Sequence, residues 1–250
     1  MMSGRKSKTM YDYFDKLYRG DRHSLVRYIG ERIREERRTF IITANPETFM
    51  TADSDCAMRD AIMGSDLVIA DGIGIAKAAE RLGLSEVRKI AGIELAGDLL
   101  KEAGEDGLSV FLFGSHEDTV AALSRNLKDR YPRINICGYE NGYVQDKDGV
   151  MKRISALSPD IVMVALGIPE QEILIADNIE LFTKGILLGV GGSFDVLSGV
   201  KKRAPRFFTE HGLEWLYRIF KEPRRLGRFF RNNIRYLFKI RNMLKKIKRT

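Results

Sequence analysis

Six short apolar runs, rich in Ile, Val and Leu and mostly without polar alternation, recur through the first 190 residues and most constrain what this chain can fold into. They are residues 39–43 (TFIIT), 66–70 (DLVIA), 109–113 (SVFLF), 135–138 (NICG), 160–166 (DIVMVAL) and 185–190 (GILLGV). A strand with one wet face alternates apolar and polar residues. A run without alternation fits a central strand covered on both faces. Helical patterns fall between most of the runs, at 24–37, 53–63, 74–82, 94–102, 117–130, 149–157 and 170–182. This alternation predicts an α/β fold, an open, mainly parallel Rossmann-like sheet with helices on both faces. A length of 250 residues, 44% of them hydrophobic, suits one large domain with an appendage.

In such sheets ligands bind beyond the carboxyl ends of the strands, so the segments that follow each run hold the candidate site residues. Thr43-Ala44-Asn45-Pro46-Glu47 follows the first run and Asp71-Gly72-Ile73-Gly74 the second. Gly114-Ser115-His116 follows the third, Gly167-Ile168-Pro169-Glu170-Gln171-Glu172 the fifth, and Gly191-Gly192-Ser193-Phe194-Asp195 the sixth. Asp71 is the first choice for a catalytic carboxylate. It ends a hydrophobic strand and precedes glycines that admit a ligand close to the backbone, and a carboxylate so placed can deprotonate an attacking hydroxyl. Its ordinary alternative is a cap on helix 74–82. Thr43 and Asn45 offer a hydroxyl and an amide to a sugar or diphosphate, or serve as turn residues before Pro46. Ser115, three residues before Asp118, has the form of a helix cap after Gly114, and the amides of that helix start suit a phosphate.

Other chemistries lose support from the same residues. Gly72-x-Gly74 begins like a dinucleotide fingerprint, but Lys77 stands where the third glycine belongs, which disfavours a nucleotide-dependent oxidoreductase. There is no GxxxxGK[ST] loop and no G-x-S-x-G elbow. Two D-x-D patterns, Asp53-Ser54-Asp55 and Asp146-Lys147-Asp148, fall at a helix start and in a hydrophilic turn rather than directly after a buried strand, so no metal site is assigned to them. His23, His116 and His211 are too scattered to suggest a metal triad. Cys56 and Cys137 read as small core residues in a reducing compartment.

Charge divides the chain. Residues 201–250 carry 17 Lys and Arg against 3 Asp and Glu, a net +14, while residues 1–200 carry 25 against 31, a net −6. The boundary near Gly199 predicts two units, 1–199 as the α/β catalytic domain and 200–250 as a basic helical appendage. The appendage reads as a linker and helices at 212–221 and 224–248 broken at Pro223. The second helix carries an apolar stripe of Leu226, Phe230, Ile234, Leu237, Ile240, Leu244 and Ile247 among Lys and Arg. Such a helix suits an anionic membrane surface, or packs its stripe on the body and leaves its charges in solvent. Nucleic-acid binding by the tail is the alternative that electrostatics alone permits. No uncharged run of about 18 apolar residues exists, and no apolar core follows the basic N-terminal residues as in a secretory signal. The expected location is cytoplasmic, peripheral on the inner face of the cell membrane.

An ordered series of short motifs adds to this reading: Thr43-Ala44-Asn45, Asp71-Gly72-Ile73-Gly74, Gly167-Ile168-Pro169-Glu170-Gln171-Glu172, Gly189-Val190-Gly191-Gly192-Ser193-Phe194-Asp195, Lys202-Arg203-Ala204-Pro205, Glu214-Trp215-Leu216-Tyr217-Arg218 and Glu222-Pro223-Arg224-Arg225. The series, over roughly residues 38–232, resembles the WecG/TagA/CpsF glycosyltransferases. The resemblance implies an inverting, metal-independent transferase that needs no cofactor. Its donor is a UDP-sugar, often UDP-N-acetylmannosamine or its uronic acid, and its acceptor is an undecaprenyl-diphosphate-linked amino sugar in teichoic acid or related polymer synthesis. Asp71 matches the family's proposed base, and Thr43, Asn45 and Gln171 match residues around the sugars. Gly72, Gly114, Ser115 and Gly167 belong to the substrate-binding strand ends. Arg218, Arg225 and Arg228 match basic positions of an appendage thought to reach over the site and hold diphosphate. Lys89, in Lys89-Ile90-Ala91-Gly92, stands where the family often has arginine, keeping the charge but losing the bidentate fork. The chain is expected to bind no nucleic acid, and assembly into a homo-oligomer stays open.

Overall fold

The computed structural model describes residues 9–202, 205, 208, 217 and 226–247. Six strands form one sheet: β1 (Thr39–Ala44), β2 (Leu67–Ala70), β3 (Ser109–Gly114), β4 (Asn135–Glu140), β5 (Ile161–Ala165) and β6 (Ile186–Gly189). Their order is β2-β1-β6-β5-β3-β4 and every pairing is parallel. All six carboxyl ends therefore lie on one edge. The first third of the chain supplies β1 and β2, the remainder supplies the other four, and the two sets meet where β1 pairs with β6.

Alternate residues of each central strand feed two cores. Phe40, Ile42, Val68, Phe113, Val162, Val164 and Leu187 point to one side, and Ile41, Ile69, Leu112, Ile161, Met163 and Leu188 to the other. The first core is covered by α1 (Met10–Asp15), α3 (Pro46–Ser54), α4 (Cys56–Gly64), α5 (Ile73–Arg81), α8 (Lys147–Leu157) and α9 (Glu170–Asn178). The second is covered by α2 (Arg22–Arg34), α6 (Gly92–Asp106), α7 (Glu117–Arg130) and the short α10 (Ser193–Leu197). Burial on both faces is why these strands lack polar alternation.

The helices depart from expectation in three places. The helix expected over 53–63 runs together the last two residues of α3 and most of α4. Asp55, extended at φ −120°, ends α3, and its carboxylate accepts from the amides of Ala57 and Met58 to cap α4. Helices α1, α3 and α10 were not anticipated: α1 and α10 are too short to show a period, and the start of α3 reads as a turn before Pro46. Apart from Tyr217, the expected helix at 212–221 and the break at Pro223 lie outside the described residues.

The last helix, α11 (Leu226–Ile247), lies against α3. Tyr236 and Ile240 are buried in the first core, with Met243 and Leu244 packed beside them. The Tyr236 hydroxyl donates to the carbonyl of Gly74 at 3.3 Å, and Lys239 forms an ion pair with Asp53. The stripe therefore splits. Ile240 and Leu244 pack inward, whereas Ile234, Leu237 and Phe238 stay exposed beside Arg231, Arg235, Arg241 and Lys245. Among the described residues no helix is long and apolar enough to cross a membrane.

Candidate active site

The β1–β6 seam ends in a tight group. Thr43, the next-to-last residue of β1, donates its hydroxyl to the carbonyl of Gly189 on β6 at 3.1 Å and is almost fully buried. Asp71, one residue past β2, is half-buried, and its amide donates to Ala44 at 2.8 Å. The start of α6 closes on both. A Cβ on Gly92 would lie 3.0 Å from Thr43 Cγ2 and 3.4 Å from Asp71 Oδ2. The missing side chain at Gly92 thus leaves just enough room for the Thr43 methyl group and the Asp71 carboxylate to come together at the strand ends. Gly72, which has no side chain, holds the N-cap position of α5, with Asp71 one residue before it. Lys89 is brought to the same place, because residues 89–90 run beside the end of β2: Lys89 bridges to Ala70, and the Ile90 amide donates to Ala70 at 2.9 Å. Its side chain is exposed.

Asn45 and Gln171 have structural duties here. The Asn45 side-chain oxygen accepts from the amides of Glu47 and Thr48, capping α3, while Pro46 occupies the first helical position. Gln171 is 2% exposed, and its Oε1 accepts from the amides of Gly167 at 3.1 Å and Gly191 at 3.0 Å. Its Nε2 donates to Glu172 Oε1 at 2.7 Å. Gln171 ties the loop after β5 to the loop after β6. The amide packs closely against β6, since a Cβ on Gly189 would sit 2.7 Å from Nε2.

Glu172 is a residue that sequence reading did not single out. It is fully buried and its Oε2 has no hydrogen-bond partner. Burial pushes its carboxyl up to about 7 against the bond from Gln171, and the Glu47 charge adds to the rise. Nothing in the sequence separates it from the exposed Glu170 two residues earlier, which pairs with Lys147 at 2.8 Å.

On the β3 side the expected cap is corrected. Ser115 adopts a left-handed backbone (φ 59°) and His116 takes the cap position, so the Ser115 hydroxyl reaches instead to Asp195 Oδ1 at 3.1 Å. Asp195 also pairs with Lys201 at 2.8 Å. Helix α7 opens with Glu117 and Asp118, whose charges oppose a phosphate at its amides. His116 stacks on Tyr143 with ring centroids 4.7 Å apart, an exposed aromatic pair beside Gly114 and Ser115 that sequence spacing does not reveal. Both D-x-D patterns are engaged in the fold. Asp55 and Asp146 cap helices, Asp53 pairs with Lys239, and Asp148 accepts from Asn178. Cys56 is exposed, not a core residue; Cys137 is partly buried, and burial raises its thiol pKa. Arg218 and Arg225 lie outside the described residues, and Arg228 falls within the first turn of α11.

The model of the glycosyl transferase WecG/TagA/CpsF family matches residues 15–250. The chain is 38% identical over 194 residues to an N-acetylglucosaminyldiphosphoundecaprenol N-acetyl-beta-D-mannosaminyltransferase of Bacillus spizizenii, covering 78% of this chain and 76% of that one. It is 37% identical over 211 residues to the enzyme of the same name from Staphylococcus aureus, covering 84% and 82%, and 36% identical over 206 residues to that of Bacillus subtilis, covering 82% and 80%. With a parallel sheet that gathers Thr43, Asp71, Lys89 and Gln171 on one edge and a family match across nearly its whole length, the chain belongs to the WecG/TagA/CpsF family of glycosyltransferases.

Proposed function

We propose that this protein transfers N-acetylmannosamine from its UDP donor to N-acetylglucosamine carried on undecaprenyl diphosphate, in the synthesis of teichoic acid or a related cell-surface polymer. The observation that carries the reading is the convergence of Thr43 and Asp71 at Gly92, in a chain whose relatives are named for this transfer. Asp71 takes the proton from the acceptor hydroxyl as its oxygen attacks the anomeric carbon. The bond from that carbon to the diphosphate breaks and UDP leaves, with one inversion. Thr43, held by Gly189, orients the sugar. Charge growing on the leaving diphosphate is met by Lys89 and by Arg218, Arg225 and Arg228, so the step proceeds without a metal ion or other cofactor. The stacked His116–Tyr143 pair offers a flat apolar surface to the nucleotide's base. A panel of UDP-sugars offered with a lipid-diphosphate N-acetylglucosamine analogue, read by product mass, tests this. UDP-N-acetylmannosamine is expected to give the dominant product, and turnover with some other donor alone would displace the substrate assignment.

The tail supports a second part of the reading, docking on the inner face of the membrane where the acceptor resides. Ile234, Leu237 and Phe238 are exposed on the face of α11 turned away from α3, among Arg231, Arg235, Arg241 and Lys245. Apolar residues that enter the acyl boundary and cations that meet anionic headgroups reinforce one another. Leu237→Asp with Phe238→Asp is expected to weaken binding to phosphatidylglycerol vesicles about ten-fold or more. The melting temperature should hold, because both side chains are over 60% exposed. Unchanged vesicle binding would remove this face as the docking surface, and tighter binding to duplex DNA than to vesicles at matched salt would favour nucleic acid.

A further inference from the structure

We propose that Glu172 is a positioning residue for the transfer reaction, fixing the orientation of the Gln171 amide and through it the two loops that line the ligand edge beyond β5 and β6. An amide side chain can point either end at its neighbours, and here the neighbours decide. Gly167 and Gly191 present backbone N–H groups, so the Gln171 oxygen must face them. Its Nε2 is then directed into a place without solvent, and a buried donor left without an acceptor costs a full desolvation penalty. Glu172 Oε1 is the acceptor, at 2.7 Å. Gln171 in turn lies on Gly189, whose carbonyl holds the Thr43 hydroxyl, and Thr43 shares the space at Gly92 with Asp71. A continuous run of contacts thus leads from a carboxyl group inside the protein to the reacting end of the sheet.

The choice of a carboxylate matters. A neutral amide at 172 also accepts a hydrogen bond, but an ionised group polarises Gln171 and strengthens the acceptance of both loop amides. Glu172 is fully buried with Oε2 unpartnered, so only the Gln171 bond and its own backbone amide compensate its charge. Of the surrounding charged groups among the described residues, Glu47 at the start of α3 is the one whose field reaches it, opposing ionisation. On its own helix, Glu170 is taken up by Lys147 of α8. With the carboxyl pushed up to about 7, the strut tightens as pH rises through neutrality.

The kinetic half of this inference rests on the transferase reading, while its spectroscopic half does not. In the full-length protein, the amide proton shifts of Gly167 and Gly191 are expected to titrate together between about pH 5.5 and 8.5, with a midpoint near 7. In Glu172→Gln they are expected to stay flat. With UDP-sugar and the lipid-linked acceptor, Glu172→Gln is expected to lower kcat about five- to fifty-fold and leave the donor KM within about two-fold. Static amide shifts in the native protein, or a Glu172→Gln enzyme of native kcat, would overturn the proposal. If Glu172→Gln fails to fold, the native titration decides alone. If no sugar donor turns over, titrating amides still uphold Glu172 as the control on the loops while the substrate reading falls.

Discussion

Replacing Asp71 with asparagine is expected to lower kcat about 10³-fold with donor KM nearly unchanged. Asparagine keeps the size and hydrogen-bonding reach of the side chain and removes its ability to take a proton. The expected size follows from what a positioned general base contributes, about 10² to 10⁴ in rate. The change falls in kcat because deprotonation is completed only in the transition state. Fold stability should barely move. Asparagine fits the same half-buried place with the same hydrogen-bonding reach, and the bond from the backbone amide to Ala44 is kept. Stopped turnover with an unchanged melting curve separates chemistry from structure. Near-native kcat would remove Asp71 as the base.

The second large effect is on stability against pH. The Glu172 carboxyl titrates near 7 in the folded protein and near its ordinary 4.5 when unfolded. The folded state therefore binds this proton more tightly. The favourable contribution is complete below about pH 4.5 and is lost as pH rises to 7 and beyond. A shift of this size amounts to about 3 kcal/mol between acid and alkaline limits. Urea unfolding of the native protein should show this loss between pH 4.5 and 8, and Glu172→Gln should lack it. The difference between the two curves is the measurement, since other groups cancel in it. Parallel curves would show that Glu172 ionises in the fold as readily as in water. The same ionisation that strengthens the loop strut weakens the fold, so activity and stability are expected to move in opposite directions through neutral pH.

Much of this architecture was legible from the order of residues, for a physical reason. A strand buried on both faces cannot alternate, so runs such as 160–166 declare themselves, and parallel strands send their carboxyl ends to one edge. That logic placed Thr43, Asp71, Gly114 and Gly167 on the ligand side without coordinates. The Asn45-Pro46 helix start was also written in the sequence as an N-cap followed by proline, but it was read as a turn. Other features depend on contacts between distant segments. Asp55 splits a helix that periodicity joins. Ser115 serves Asp195, 80 positions away, instead of its own helix. In α11 one periodic stripe is divided between the core and solvent, because Tyr236 and Ile240 meet α3 and leave Ile234, Leu237 and Phe238 outside. Glu172 is indistinguishable from a surface glutamate until the loops around it are folded.

The position of the Asp71 carboxyl group relative to bound substrates tests the central claim most directly. A crystal structure of the full chain with UDP-N-acetylmannosamine and a lipid-diphosphate N-acetylglucosamine analogue, using the inactive Asp71→Asn protein, would measure it. The account predicts the side chain of residue 71 within hydrogen-bond reach, about 3 Å, of the acceptor hydroxyl that faces the anomeric carbon. An acceptor hydroxyl well beyond that distance, with a different carboxylate or imidazole beside it, would contradict the account.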